Sequence, residues 1–227
     1  NLLKYGANPN SSDDHGVTPL SLAVLNANLD LVRLLLTGGA NPNARQINGQ
    51  TPLMVASRVG KKSIVEALLN SGANVNDAEK TKKHTALMVA VAGQHEDVAK
   101  LLIEHGADVG AKSINSFTPL LFAAQQGNIE LGKLLLEFGA DVNESAPDGI
   151  SGNTNARYRL IPDTSASALL VAIDSGHEEM AIFLLEKGAN PTLNGAGRTA
   201  LHSAVQHEMH DLVKTLLNHG ADPNAKL

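Results

Sequence analysis

The densest group of side chains with a capacity for chemistry is a set of three histidines, His202, His207 and His210, in the stretch HSAVQHEMH. A zinc protease of the HExxH type needs two histidines four residues apart, with the glutamate directly after the first. Here His207-Glu208 is followed by Met209 and then at once by His210. This spacing does not fit the motif, so the histidines do not predict a zinc site.

Two further groups contain residue types that can serve in catalysis. Gly195 to Arg198 is rich in glycine but lacks the Lys-Ser/Thr pair and the preceding strand of a phosphate-binding loop, so it indicates a hairpin turn. Acidic pairs such as Glu96-Asp97 and Glu178-Glu179 fall near or on helices whose outer faces are normally wet. A catalytic triad formed by residues far apart in the chain would leave no such local motif. We expect no catalytic residue, no metal and no cofactor.

Composition restricts the classes of partner. The net charge of −5 argues against a general nucleic-acid binder. The chain has no cysteine, which excludes disulfides and cysteine-based metal sites. It also has no run of 18 apolar residues, so we expect no membrane span.

Two short motifs recur in step along the chain and indicate an array of stacked units. The first, Gly-Ala-(Asn/Asp), begins at intervals of 33, 33, 34, 33, 49 and 32 residues, at Gly6, Gly39, Gly72, Gly106, Gly139, Gly188 and Gly220. The second, of the type Thr-Pro-Leu, begins at Thr18, Thr51, Thr85, Thr118, Ser167 and Thr199.

Each motif has a physical role at a helix end. The Thr hydroxyl accepts a hydrogen bond from a free N–H of the first helical turn, and Pro suits the first helical position. The Gly that follows an apolar stretch adopts the left-handed conformation that ends a helix. Between the two motifs lie two short antiparallel helices, and the rest of each unit forms a hairpin turn. Helices this short need burial against neighbouring units.

The Thr-Pro-Leu starts, the mid-unit glycines and the closing Gly-Ala-(Asn/Asp)-x-Asn at this period resemble ankyrin repeats over nearly the whole chain. The resemblance implies an all-α fold, an ankyrin-repeat solenoid of stacked helix pairs with hairpin fingers. We expect a single array over 1–227, divided into the end of a preceding repeat (1–10), units 11–43, 44–76, 77–110, 111–143, 144–192 and 193–224, and the start of a next unit (225–227). In three units Ala27, Gln94 and Glu208 stand where the others carry a mid-unit glycine, and we expect their inter-helix turns to be less regular.

The resemblance implies a partner on the concave side, in contact with the finger tips and the exposed ends of the first helices. Counted along the chain, the tips of fingers one to four are residues 12–17, 45–50, 78–84 and 112–117. Those helix ends include Arg58 and Gln125. The fifth finger carries an insertion of about 16 residues, roughly 147–162, with Arg157, Tyr158 and Arg159. These residue types dominate interface hot spots, and insertions in arrays map to one face. A tolerated, solvated loop is the alternative.

Fingers two to four carry a basic stretch. It consists of Arg45, Lys80, Lys82, Lys83 and Lys112, against Asp77 and Glu79. His84 adjoins it. A local positive field favours an acidic peptide or a phosphate group, while the alternative is a solvated charge run.

Apolar residues also occupy finger positions usually given to polar groups: Ile47, Ile114 and Phe117. They form either an anchor patch for a partner or contacts with adjacent hairpins.

The main hypothesis is a non-catalytic scaffold that binds a protein or peptide partner, an acidic one in view of the basic fingers. The alternative is an accessory or autoinhibitory domain of a larger enzyme or channel. Self-association through the ends of the array is a third hypothesis, so the oligomeric state stays open.

Overall fold

The computed structural model describes residues 5–146, 166–192 and 199–225. Within these ranges the chain forms twelve short helices and two strands of two residues each. The helices are α1 (Pro19–Leu25), α2 (Leu29–Thr37), α3 (Pro52–Val59), α4 (Lys62–Asn70), α5 (Ala86–Ala92), α6 (Glu96–Glu104), α7 (Pro119–Gln126), α8 (Ile129–Glu137), α9 (Ala168–Asp174), α10 (Glu178–Glu186), α11 (Ala200–Gln206) and α12 (His210–Asn218). The antiparallel strands are β1 (Ser145–Ala146) and β2 (Ala166–Ser167). In the described residues, no helix is both long and apolar enough to cross a membrane.

The chain divides into two compact units, residues 1–114 and 115–227. In the first unit α1, α3 and α5 pack side by side in one row, and α2, α4 and α6 form a second row. Each helix of the first row also packs against the following helix of the second row. The unit is therefore a stack of three helix pairs.

The second unit repeats this arrangement. Its first row is α7, α9 and α11, its second row is α8, α10 and α12, and each pair is again closed by contacts within it. Strand β2 leads directly into α9, and β1 pairs with it in the register Ser145 with Ser167. The hairpin that leads into α9 is thus held at its base by this two-residue ladder.

The helix starts and ends lie where the two motifs predict them. Thr51 caps α3, because its hydroxyl accepts from Met54 N–H, and Pro52 occupies the first helical turn. The same bond is made by the other residues at this position, Thr18, Thr85, Thr118, Ser167 and Thr199. After α4, the second helix of its pair, Gly72 has φ +84, and Ala73 N–H donates a hydrogen bond to the Leu68 carbonyl.

The inter-helix turns correct one sequence expectation. Ala27, Gln94 and Glu208 adopt φ values of +52, +57 and +57, in the same left-handed region as Gly60 and Gly127 at the equivalent position. The turns without glycine therefore have the regular conformation, and the expectation of irregular turns was wrong. A side chain with a Cβ pays a conformational cost there, and the packing of the two helices on either side overrides it.

The core consists of the facing sides of the helices. Leu20, Leu53 and Leu87 stand at equivalent positions in the first row and are at most 1% exposed. On the second row the equivalent residues Val32, Val65 and Ala99 are fully buried. Since the same positions are apolar in successive pairs, burial is continuous along each stack.

A second set of contacts links successive turns. In the motif Gly-Ala-Asn-x-Asn, the side chain of the last Asn reaches the same motif of the next repeat. Asn43 Nδ2 donates to the Gly72 carbonyl at 2.9 Å, and Asn43 Oδ1 accepts from Asn74 N–H at 2.8 Å. Asn10, Asn76 and Asn143 make the same pair of bonds to their next turns. These bridges fix the spacing of the turns from which the fingers project.

Replacing Asn43 with Ala removes both bonds of one bridge. We expect Asn43→Ala to lower the free energy of unfolding by about 1–3 kcal/mol, because a backbone donor and acceptor lose their partner together. The measurement is urea unfolding followed by far-UV circular dichroism. The control is Asn70→Ala, since the exposed Asn70 side chain makes no hydrogen bond within the described residues. Equal midpoints for the two variants would contradict a structural role for the bridge.

Candidate partner-binding site

The fingers of the first unit are tied to one another through their backbones. Ile47 N–H donates to the His15 carbonyl at 3.0 Å, which joins finger two to finger one. Lys80 N–H donates to the Asn48 carbonyl at 2.9 Å, and Ile114 N–H donates to the Lys82 carbonyl at 2.8 Å. The side chains of fingers two and three are therefore presented from a connected backbone.

The acidic residues of this region are engaged in internal contacts. Asp77 Oδ1 lies 2.6 Å from Arg45 Nη2, and the Asp77 side chain is only 17% exposed. Arg45 Nη1 also donates to the Ala78 carbonyl at 3.4 Å. Arg45, predicted as a partner contact, is thus held in an ion pair within its own unit.

Glu79 closes the loop of finger three. Its carboxylate accepts hydrogen bonds from the backbone N–H groups of Thr81, Lys82 and His84 and from the Thr81 hydroxyl. Partial burial acts to raise the pKa of Glu79, but these hydrogen bonds together outweigh it, so the pKa lies below its ordinary value of 4.5. The Glu79 carboxylate is therefore held by the backbone of its own loop.

The basic residues of fingers two and three face solvent. Lys80, Lys82 and Lys83 are exposed, and none makes an ion pair within the described residues. Lys83 has φ +55, a conformation imposed by the tight loop that Glu79 closes. Lys112, in finger four, is exposed as well.

Arg58 stands at the end of α3, beside finger two, and both ends of the residue are fixed. His95 Nε2 donates to the Arg58 carbonyl at 3.1 Å. The Gln50 amide faces the guanidinium. With its oxygen toward Arg58, Gln50 accepts from Nη2 at 2.7 Å and from Nη1 at 2.9 Å, and the opposite orientation would oppose donors to donors. The guanidinium is exposed but held in place.

His84 lies between these groups and is half-buried. Partial burial lowers its pKa below the ordinary value of 6.5, Glu79 opposes this shift, and the positive charges of Lys82 and Arg58 lower the pKa further. The neutral imidazole is therefore favoured near neutral pH. Arg58, Lys80, Lys82, Lys83 and His84 together are called the basic finger surface below.

The three apolar finger residues differ in exposure. Ile47 and Ile114 are 64% and 51% exposed at the tips of fingers two and four. Phe117, in the second unit, is half-buried, and its ring meets that of Phe122 edge to face at 5.5 Å. The two isoleucines thus present apolar surface next to the basic residues, whereas Phe117 packs on the helix that it precedes.

The remaining predicted contacts lie in the second unit or outside the described residues. Gln125 is half-buried, and its carbonyl accepts from His177 Nε2 at 3.0 Å, the same contact that His95 makes with Arg58. Arg157, Tyr158 and Arg159, and the rest of the insertion at 147–162, lie outside the described residues.

The three histidines of the C-terminal stretch do not converge. His202 Nδ1 lies 2.8 Å from the Thr199 hydroxyl, and His207 Nε2 lies 4.0 Å from Asp174 Oδ1. Within the described ranges, no group of three or more His, Cys, Asp or Glu side chains is placed to hold a metal ion.

A family model described as ankyrin repeats (3 copies) matches residues 1–79, 72–146 and 150–226. The chain belongs to the ankyrin-repeat family. Its fold is an ankyrin-repeat solenoid of helix pairs, as the motifs predicted, and proteins of this family generally act as protein–protein interaction modules.

This chain matches short parts of two relatives by sequence and most of one solved ankyrin repeat domain by structure. A putative ankyrin repeat-containing protein of Treponema pallidum is 41% identical over 29% of this chain and 22% of the relative. The 2-5A-dependent ribonuclease of Mus musculus is 36% identical over 36% of this chain and 11% of that enzyme. The crystal structure of the human ASB11 ankyrin repeat domain superimposes with a TM-score of 0.77 at 24% identity, covering 92% of this chain and 86% of that domain. The chain thus spans less than a quarter of the two relatives compared by sequence.

The close approach of His95 to Gly60 generates a stability prediction. A Cβ on Gly60 would lie 2.5 Å from His95 Nδ1, and Gly60 has φ +72. Gly72→Ala is the matched control, because Gly72 has φ +84 and open space around it. We expect Gly72→Ala to lower the free energy of unfolding by about 1–2 kcal/mol and Gly60→Ala by more, since only the latter also displaces the His95 ring. Urea unfolding measures both, and equal losses would show that the His95 contact contributes nothing.

The role of Glu79 generates a pH prediction. A carboxyl whose folded-state pKa lies below 4.5 contributes stability that is present above that pH and is lost as the pH falls toward the folded-state value. We expect Glu79→Gln to lose less of its melting temperature than the wild type between about pH 5 and pH 3. Thermal unfolding across this range is the measurement. The control is Glu66→Gln on α4, an exposed side chain with no hydrogen bond within the described residues, and parallel curves for Glu79→Gln and wild type would refute the prediction.

Proposed function

We propose that this chain is a non-catalytic protein-interaction scaffold, and that its first unit binds an acidic segment of a partner protein on the basic finger surface. One observation carries the proposal. Asp77 is paired with Arg45, and Glu79, held by the loop backbone, is one acid among four basic residues, Arg58, Lys80, Lys82 and Lys83. Around fingers two and three the basic residues therefore outnumber the acids, although the chain as a whole has a net charge of −5.

The exposed isoleucines add an apolar component. Ile47 and Ile114 belong to fingers on either side of finger three, which carries Lys80, Lys82 and Lys83. A partner segment with acidic residues next to an apolar residue would satisfy both kinds of surface. The connected finger backbone supports the proposal further, because a preformed surface loses little freedom on binding.

The insertion of the fifth finger is a second proposed contact of the same scaffold. Its support is the sequence alone: Arg157, Tyr158 and Arg159 in a per-repeat insertion. Its contribution is separable from that of the basic finger surface, since the two belong to different units.

The test is selection of peptides from a random 12-residue display library on the wild-type protein. We expect selected peptides to be enriched in Asp and Glu, and their affinity to fall as salt screens the charges. The triple variant Lys80→Glu, Lys82→Glu, Lys83→Glu should bind them at least about tenfold more weakly. The control, Lys61→Glu, Lys62→Glu, Lys100→Glu, makes the same change of net charge on exposed residues outside the fingers and should bind normally.

The other outcomes have definite meanings. Selection of neutral or basic peptides, or an equal loss in both triple variants, would overturn the proposal for the basic finger surface. A variant with residues 147–162 replaced by an ordinary-length hairpin separates the second contact, because loss of binding only there would move recognition to the insertion.

A regulatory role within a larger enzyme is the second candidate. The observation that favours it is the match to a part of the 2-5A-dependent ribonuclease, whose name is that of an enzyme. The sequence of the whole gene product discriminates the two candidates: a catalytic domain on the same polypeptide would favour the regulatory role, and its absence would favour a partner bound in trans.

A further inference from the structure

Arg58 differs from the lysines of the basic finger surface in being immobilised. Its carbonyl is held by His95 and its guanidinium by Gln50, through contacts of 3.1, 2.7 and 2.9 Å. A side chain fixed in this way has already lost the rotamer freedom that an exposed arginine gives up on binding. The lysines provide a positive electrostatic field without a preferred direction, whereas the Arg58 guanidinium provides hydrogen-bond donors in a fixed direction.

The donors of Arg58 are only partly used. A guanidinium has five N–H donors, and Gln50 accepts one from each terminal nitrogen. The Nε–H group and the second N–H of each terminal nitrogen remain. Arg58 makes no ion pair with a carboxylate of the described residues, so none of these carboxylates occupies this fork. The edge with Nε–H matches two oxygens of a carboxylate or phosphate.

The surroundings favour an anion at this edge. Lys82 and Arg58 both lie close enough to His84 for their charges to lower its pKa. The half-buried His84 thus lies near two positive charges, and one of the two, Arg58, has an unused hydrogen-bonding edge.

We infer that the Arg58 guanidinium, held by Gln50 and flanked by Lys82 and His84, is the binding point for a single oxyanion group of the partner, a carboxylate or a phosphate. This inference rests on the proposed function for the view that the group belongs to a protein partner. It adds one fixed contact to a surface that otherwise attracts acidic segments without fixing where they bind.

The experiment is an NMR titration that observes the arginine Nε–H signals of the ¹⁵N-labelled protein. The titrants are N-acetyl-glutamate amide, N-acetyl-O-phosphoserine amide and, as the neutral control, N-acetyl-glutamine amide. We expect a saturable shift of the Arg58 signal with one or both anions, with a dissociation constant on the order of 1 mM, and no shift with the neutral compound. The stronger anion identifies the class of group. Arg33 and Arg45 serve as internal references, and no saturation at Arg58, or equal shifts at all three arginines, would overturn the inference.

Two variants test the geometry. Gln50→Glu places a carboxylate against Arg58 without changing the shape of the side chain, so we expect a higher melting temperature together with loss of the saturable shift. Arg58→Lys keeps the charge and removes the planar fork, and it should weaken anion binding about fivefold or more in a titration followed through backbone signals. Full anion binding by both variants would contradict a defined site at Arg58.

The outcome is separable from that of the proposed function. Acidic peptides that bind through the lysines while Arg58 shows no saturable shift would overturn this inference and leave the proposed function standing. A saturable shift at Arg58 without selection of acidic peptides would support the anion site and remove the proposed partner class.

Discussion

The stacking of helix pairs is the interaction on which the rest of this structure depends. Its helices are seven to nine residues long, too short to be stable alone in water. Leu20, Leu53 and Leu87 are buried because each helix pair covers the apolar face of its neighbour within the first unit. The long turns and fingers are tolerated on this account, because they project from a stack that is already stable.

The asparagine bridges between successive repeats fix the spacing of the fingers on this stack. Asn43 bonds a carbonyl and an N–H of the next turn at once, so a shift of one turn along the stack would break two hydrogen bonds. The histidine contacts add a second tie on the other side of the repeat: His95 to Arg58 in the first unit, and His177 to Gln125 in the second. The same device that supports the fold therefore also positions a residue of the candidate site.

Charge at the candidate site depends on which ionic groups are occupied within the protein. A count of basic and acidic residues gives fingers two and three a modest positive excess. The contacts show which acids are engaged within the protein: Asp77 is paired with Arg45, and Glu79 is bound to the backbone of its own loop. Against the one charge of Glu79, the surface there carries Lys80, Lys82, Lys83 and Arg58. Arg45, equal to the others in the sequence, is distinguished from them only by its neighbour.

The class of fold and the ends of the helices could be predicted from the sequence. The Thr-Pro-Leu and Gly-Ala-(Asn/Asp) motifs act through local hydrogen bonds and local backbone conformation, as at Thr51 and Gly72, so they are legible without tertiary structure. The expectation for Ala27, Gln94 and Glu208 was wrong because tertiary packing imposes a left-handed turn that local preference disfavours. The bridge of Asn43 between two repeats, the contact of Gln50 with Arg58 and the pairing of Arg45 could not be predicted from the sequence either. Each of these contacts joins residues of different elements, and their geometry arises when the helix pairs stack.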